Sequence, residues 1–425
     1  MTENFLHHLW KLKLFNFKNL ETTESEPLEI VRTGQHNNDA GPDFFNAQVK
    51  IGDTLWAGNV EIHLKSSDWK QHSHEKDKAY DNIILHVVYE NNEAVTRKDG
   101  SLIPTLELKN KFDDRLWTNY TDLLQSDHWI PCGPHIRTVD HFHLNNWLDR
   151  LLTERLESKT ETIFSSLRLN NNNWEETFYH DLARTFGFRL NAVPFEMLAK
   201  SLPLTYLAKH KNQLKQLEAM LFGQAGMLEK NFKDDYSGEL SKEYLFLKNK
   251  FRMEPISLHQ WKFLRLRPMN FPTIRIAQFA QLVYRSSHLF SKILDCENLE
   301  QVEDYFRVDV SDYWQTHFMF DRISKQQSKH LGEGSVQNIV INSIVPFLFA
   351  YGKARHSEVH QQRALQFLDQ LPSEKNSIIS KWKEVGIEST TAYRSQALLQ
   401  LKNEYCAEKK CLTCSVGNKI ISSLL

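Results

Sequence analysis

Gly41-Pro42-Asp43-Phe44 and, further along, Val60-Glu61-Ile62-His63-Leu64-Lys65 are the strings that decide how the chain is read. The second alternates apolar and ionisable residues with a period of two. A strand built from it puts Val60, Ile62 and Leu64 on one face and Glu61, His63 and Lys65 on the other. Three ionisable groups on one face are costly to bury unless they are paired or hold a cation. Asp43 opens the preceding strand, and hairpin pairing places it beside Glu61. Two adjacent carboxylates repel, and a hard divalent cation is the common remedy. A plainer account stands beside this one: Asp43 caps the turn after Gly41-Pro42, and Glu61, His63 and Lys65 form a solvated strand face.

Working outward, short alternating runs bounded by Gly, Pro, Asn or Asp predict strands at 28–33, 44–51, 59–64, 83–90 and 103–108. A helix is expected over 4–15, where Phe5, Leu6, Trp10 and Leu14 share a stripe, and another over the polar stretch 67–80. From Asp140, a plausible cap, the period becomes helical: Trp147, Leu148, Leu151, Leu152 and Leu156 recur on one face. Further helices are expected at 174–186, 195–199, 207–221, 244–250, 274–294, 335–350 and 392–405. This predicts an α/β domain over 1–135, with a core of helix, three strands, helix and strand, then an all-α domain over 136–425 ending in a cysteine cluster.

The order of elements, with Pro42-Asp43 opening one core strand and Glu61-X-His63 on the next, resembles the PD-(D/E)XK phosphodiesterase (nuclease) superfamily over roughly residues 1–109. The resemblance implies that Asp43 and Glu61 hold Mg²⁺ or Mn²⁺, which polarises a scissile phosphate and activates water. His63 occupies the place of that family's lysine, and Lys65 follows on the same face. A neutral imidazole could orient the water or act as base, and Lys65 could stabilise the charge of the phosphorane. Glu3 matches the place of an additional acidic ligand in some members. Asp68, His72 and Asp77 on the 67–80 segment, and Asn38 and Asp39 in the 34–41 loop, are further candidates for the site. The chain also resembles an uncharacterised bacterial family. The strings that carry this are Asn38-Asp39-Ala40-Gly41-Pro42-Asp43-Phe44, Val60-Glu61-Ile62-His63 with Ser66-Ser67-Asp68-Trp69, Ile84-Leu85-His86-Val87-Val88, Phe222-Gly223-Gln224-Ala225-Gly226 and Arg267-Pro268-Met269-Asn270-Phe271-Pro272, with the terminal cysteines.

Across its 425 residues, 41% are hydrophobic and 25% charged, with 52 Lys and Arg against 53 Asp and Glu, which excludes wholesale disorder and a globally basic coat. No apolar run of membrane-spanning length and no signal-peptide core are evident, and five cysteines make no disulfide framework, so a cytoplasmic address is expected. Cys406, Cys411 and Cys414, with Cys132 as a possible fourth ligand, suggest a Zn²⁺ or iron–sulfur site, the alternative being ordinary thiols. Residues 255–294 contain no Asp or Glu. There Lys262, Arg265, Arg267 and Arg275 interleave with Trp261, Phe263 and Phe271, a pattern suited to tracking a phosphate backbone. A buried helical pair filled by Ile276, Phe279, Ala280 and Val283 is the other reading.

The expected function is divalent-metal-dependent cleavage of phosphodiesters in DNA or RNA. The alternatives are a catalytically degenerate module on the same fold that binds nucleic acid or a protein, and a small-molecule metal hydrolase built on the histidines.

Overall fold

The computed structural model describes residues 1–37 and 39–423. The first helix, α1 (Glu3–Leu12), buries Phe5, Leu6, Leu9 and Trp10 along one stripe. It stops at Lys13, whose left-handed backbone returns its amide to the Leu9 and Trp10 carbonyls. Seven strands follow: β1 (Leu20–Glu21), β2 (Pro27–Arg32), β3 (Gln35–His36), β4 (Phe44–Ile51), β5 (Thr54–Lys65), β6 (Ile83–Glu90) and β7 (Thr105–Glu107). They form one sheet in the order β1-β2-β4-β5-β6-β7, with β3 also on β4. The β1/β2, β2/β4 and β4/β5 pairs are antiparallel, while β6 and β7 join parallel.

Register places the chemistry. Phe44 pairs with Val60, so the residue before one and the residue after the other, Asp43 and Glu61, fall side by side. The register shifts between Phe44 and Ala47, where Asn46 takes a φ of 56°. Such a bulge twists a strand and re-aims its end. On the other side Glu61 pairs with His86 of β6.

The helix expected over 67–80 is not continuous. It is a single α-turn, α2 (Asp68–Gln71), then separate 3-10 turns at His74–Lys76 and Lys78–Tyr80. Ser73 breaks the run with a φ of 60°, and the Asp77 side chain takes the Ala79 amide in a local turn that competes with a helix. Helix α3 (Asp114–Gln125), capped by Asp113, follows β7.

The chain divides into two units, the first formed by Met1–Asp149, Lys381–Ile387 and the stretch from Leu399 onward, the second by Arg150–Ser380 and Glu388–Leu398. A single cut near residue 135 is therefore not what is seen. The cysteine-bearing segment stays with the first unit through specific bonds. Lys409 Nζ donates to the Leu124 and Ser126 carbonyls at 2.6 and 3.1 Å, Lys402 Nζ to the Trp129 carbonyl at 2.8 Å, and Asn119 Nδ2 to the Ile421 carbonyl at 3.1 Å.

The second unit is mainly helical. Trp174–Phe186 forms with Asn173 as its cap, and Asp140 caps the long helix α4 (His141–Leu169) through the His143 amide at 2.8 Å. The runs over 207–221 and 274–294 each become two helices; the second breaks before Leu289–Asp295, where His288 has a φ of 53°. The unit is not all-α, because His317–Met319 and Arg322–Ile323 pair as a small antiparallel hairpin. One stretch, Glu333–Ala354, is long and apolar enough to cross a membrane, against the expectation, and 67% of its apolar window is buried within the protein. It is apolar all round because its side chains fill a core.

Candidate metal centre

Asp43 and Glu61 hold each other through the backbone. The Asp43 amide donates to Glu61 Oε2 at 3.2 Å, and the Ile62 amide donates to Asp43 Oδ2 at 2.9 Å. Each carboxylate thus commits one oxygen to an amide of the neighbouring strand, leaving Asp43 Oδ1 and Glu61 Oε1 for other partners. Glu61 is only 5% exposed, unusual for a carboxylate without a cationic Lys or Arg at hand.

Imidazoles surround this pair. His63 lies on β5, two residues beyond Glu61 on the same face, with its Nε2 3.6 Å from Glu61 Oε1. The α2 turn ends at His72, and the left-handed Ser73 then swings the chain so that His74 also returns over the sheet. His74 Nε2 stands 3.4 Å from Glu61 Oε1, and its ring stacks on Tyr80 at 3.8 Å between centroids. Ligand nitrogens of His63, His72 and His74 all lie within 4.8 Å of one another. From α1, His7 brings Nε2 to 3.3 Å from Asp43 Oδ2. Glu3 precedes His7 by one helical turn and feels the Asp43 charge.

The electrostatics fit a missing positive charge. Burial and the neighbouring Asp43 push the Glu61 carboxyl up to about 9. Burial and Asp43 raise Glu3 as well. Burial and the surrounding imidazoles lower His63 to about 2, so it is a neutral ring at physiological pH. His63 Nδ1 lies 2.8 Å from His86 Nε2. With the proton on His63 Nδ1, the Nε2 lone pair is left facing Glu61 and His72, the tautomer a metal ligand requires. The Nε2 atoms of His7 and His74 are sealed from water and have no properly formed hydrogen bond, although each stands beside a carboxylate oxygen. Orphaned nitrogens, paired carboxylates and clustered imidazoles are a donor set that suits a divalent cation, and the nitrogens favour Mn²⁺ or Zn²⁺ over Mg²⁺.

Two clefts border the cluster. One, of about 450 Å³, is lined by His7, His36, Lys11, Lys409 and Lys410, with Glu408. The other, of about 320 Å³, is lined by His74, Tyr80, Arg97 and Lys98, with Glu75, Asp81 and Asp99. The first carries the excess of positive charge.

Of the residues expected at the site, Glu3, Asp43, Glu61, His63 and His72 come together. Asp68 stands close enough to Glu3 to raise its pKa, while its Oδ2 receives the Lys65 amide at 2.9 Å. Lys65 does not join them: its side chain is exposed and its charge is felt by Glu90. Asp77 is exposed and serves as a turn cap, its Oδ1 taking the Ala79 amide at 2.9 Å. Asn38 lies outside the described residues. Asp39 is exposed in a turn held by Asn37, whose Nδ2 donates to the Asp39 and Pro42 carbonyls at 2.9 and 3.1 Å. In the second unit Lys262, Arg265 and Arg267 are exposed, but Arg275 is not a surface cation. It is 6% exposed and donates to Gln278, Asn270 and Ser335. Sequence reading passed over His7 and underused His74 and His86. The spacing of Glu3 and His7 on one helical face was the available signal.

The family described as a protein of unknown function (DUF2851) matches residues 3–377. No curated protein and no solved structure matches the chain. With nearly the whole chain covered, from α1 through the carboxylate–imidazole cluster and into the helical unit, this protein belongs to the DUF2851 family.

Proposed function

We propose that the protein is a divalent-metal-dependent phosphodiesterase acting on nucleic acid, with a core of the PD-(D/E)XK kind. The observation that carries this reading is the exchange of amides between Asp43 and Glu61, which holds two carboxylates side by side among imidazoles. The order helix, antiparallel strands β2, β4 and β5, then β6 parallel to β5 also supports it. Asp43 and Glu61 would hold the cation, with His63, His72 and His74 as nitrogen donors, and the ion supplies Lewis-acid polarisation of the phosphate and a more acidic water. His7 fixes Asp43 from α1. Lys11, Lys409 and Lys410 draw a polyanion into the larger cleft. His72 is exposed, with its Nδ1 3.3 Å from His63 Nε2, so the nitrogen cluster reaches the surface through it. Lys262, Arg265 and Arg267 would serve as a further phosphate-facing surface, and free thiols accord with a reducing cytoplasm.

Lys65, exposed at the end of β5, favours a second reading: a module that binds nucleic acid or a protein without cleaving. One experiment separates them. The full chain is incubated with supercoiled plasmid and single-stranded oligonucleotide in Mn²⁺, Zn²⁺ or Mg²⁺, alongside Asp43→Asn and Glu61→Ala. Cleavage is expected in Mn²⁺ and falls at least about 100-fold in both variants, the scale of several kcal/mol of lost charge stabilisation. Metal binding and retained nucleic-acid binding without cleavage would select the second reading.

A further inference from the structure

The helical unit holds a buried cation that the reading above does not use. Arg275 lies near the start of the helix Pro272–Arg285 and is 6% exposed. Its Nη1 donates to Gln278 Oε1 at 3.0 Å, and its Nη2 donates to Asn270 Oδ1 and Ser335 Oγ at 2.7 and 3.1 Å. All of these acceptors are neutral. A guanidinium carries five N–H groups, so donors remain to spare. One is Nε–H, sealed from water and without an acceptor. Among the described residues no carboxylate pairs with this guanidinium, and burial, with no acid to offset it, lowers its pKa to about 10. A charge taken out of water without a counterion is costly.

The side chain is held still. Gln278, which accepts from Arg275, donates through Nε2 to the Lys329 carbonyl at 2.8 Å. The Phe188 ring covers the guanidinium, with its centroid 4.5 Å from Arg275 Cζ. Phe188 reaches that place with a left-handed φ of 48°, directly after Gly187, where a Cβ would lie 2.1 Å from the Asn191 carbonyl oxygen. An aromatic residue keeps such a backbone only where its surroundings fix it.

Arg275 lines a cavity of about 510 Å³, a volume usual for small-molecule sites. Phe186, Phe188, Leu190, Phe195 and Leu266 give it apolar walls, and the exposed Arg189 lines it too. No Asp or Glu lines it, and none occurs in residues 255–294. The loop that carries Leu266 is pinned by Asn191, whose Nδ2 donates to the Lys262 carbonyl and whose Oδ1 accepts the Lys262 amide, both at 2.9 Å. Pro272 brings the start of its helix to the same cavity, and the N-terminal end of a helix favours anions. A fixed cation, a second arginine and a helix start suit the double charge of a phosphate, and the walls suit an apolar or aromatic body.

We propose that this cavity binds a phosphomonoester of the nucleotide kind, free or at the end of a strand, with its phosphate on Arg275 and Arg189 and its base against the apolar walls. The site goes beyond the phosphodiesterase reading and does not depend on it.

The test uses the full chain, stripped of divalent metal and dialysed free of phosphate and sulfate. Calorimetric titration compares the ribonucleoside 5′-monophosphates with their nucleosides, and a short single strand bearing a 5′-phosphate with the same strand bearing a 5′-hydroxyl. At least one monophosphate is expected to bind about tenfold or more tighter than its nucleoside, the scale of charge-assisted hydrogen bonds to a buried arginine. A strand that gains as much from its terminal phosphate identifies a nucleic-acid end as the source, and a strand indifferent to it identifies the free nucleotide. Arg275→Gln should weaken binding at least tenfold, whereas Arg168→Ala, an exposed arginine elsewhere in the unit, should not. Should Arg275→Gln not fold, Leu266→Trp fills the cavity without touching Arg275 and should weaken binding as much. Equal affinity for nucleotide and nucleoside overturns the proposal. So does binding that survives in whichever of the two variants folds, or no saturable binding of any phosphorylated probe below millimolar concentration. Because no metal is present, such a failure leaves the metal-dependent reading where it stood.

Discussion

Glu61 shows how one residue couples stability to ligand binding. Burial and Asp43 both disfavour the charged form of its carboxyl, so the neutral replacement Glu61→Gln is expected to change little in the absence of metal. Its melting temperature in chelator is expected to stay within about 1 °C of the wild type, a shift on the order of 1 kcal/mol for a chain of this size. With Mn²⁺ the wild type gains stability by mass action, about 2.7 kcal/mol at a hundredfold excess over Kd, and the variant does not. An equal rise in both proteins would place the ion elsewhere. A second buried carboxyl, Glu218, lies in the helical unit, where Tyr236 and Ser311 hydroxyls donate to it at 2.6 and 2.7 Å. Burial pushes it from 4.5 up to about 7. The folded state therefore binds its proton more tightly than the unfolded state does. The stabilisation is present below about pH 4.5 and is lost as pH rises towards about 7. Relative to Glu218→Gln, the wild type should lose on the order of 2–3 kcal/mol between pH 5 and pH 8 in urea titrations. Parallel stability curves for the two proteins would contradict this.

At the scale of elements, the turn after β5 decides which histidines reach the sheet. Ser73 adopts a left-handed backbone that a β-branched residue tolerates poorly. Ser73→Val should cost about 1–2 kcal/mol and weaken Mn²⁺ binding, while Ser73→Gly leaves both close to wild type. Calorimetric titration of the two variants decides it, and equal affinities would remove Ser73 from the argument. The same segment shows what was legible beforehand. The strands were, because Val, Ile and Phe at alternating positions bounded by turn residues leave few options, and 44–51 and 83–90 form as expected. The pairing of Asp43 with Glu61 was legible for the same reason. The 67–80 helix was not, because a left-handed serine and an Asp side-chain turn leave no mark on hydrophobic periodicity. Arg275 was misread because a count of cations says nothing about which side of a helix each occupies. His7 was missed because it acts across space on β4 from a helix otherwise defined by its buried stripe.

For the whole molecule, the chain passes between its two units at 149–150, 380–381, 387–388 and 398–399. Residues from 399 onward supply contacts that α3 otherwise lacks, since Asn119 reaches the Ile421 carbonyl. Removal of 399–425 should therefore uncover α3, whose Leu116, Tyr120 and Leu123 are buried. Hydrogen exchange of the α3 amides is expected to accelerate at least tenfold in the truncated protein, with the amides of Trp174–Phe186 little changed. Protection of α3 at wild-type levels would show that the segment contributes nothing to it.

That threading bears on biosynthesis. The β-sheet and both carboxylates leave the ribosome early, yet the lysines that anchor the turn after α3 are translated only after the entire helical unit. At about 5–20 residues per second the early part waits tens of seconds or less for its missing piece, with apolar surface uncovered. Chaperone dependence during synthesis, and refolding in which the helical unit consolidates first, follow from where residues 399–423 are anchored.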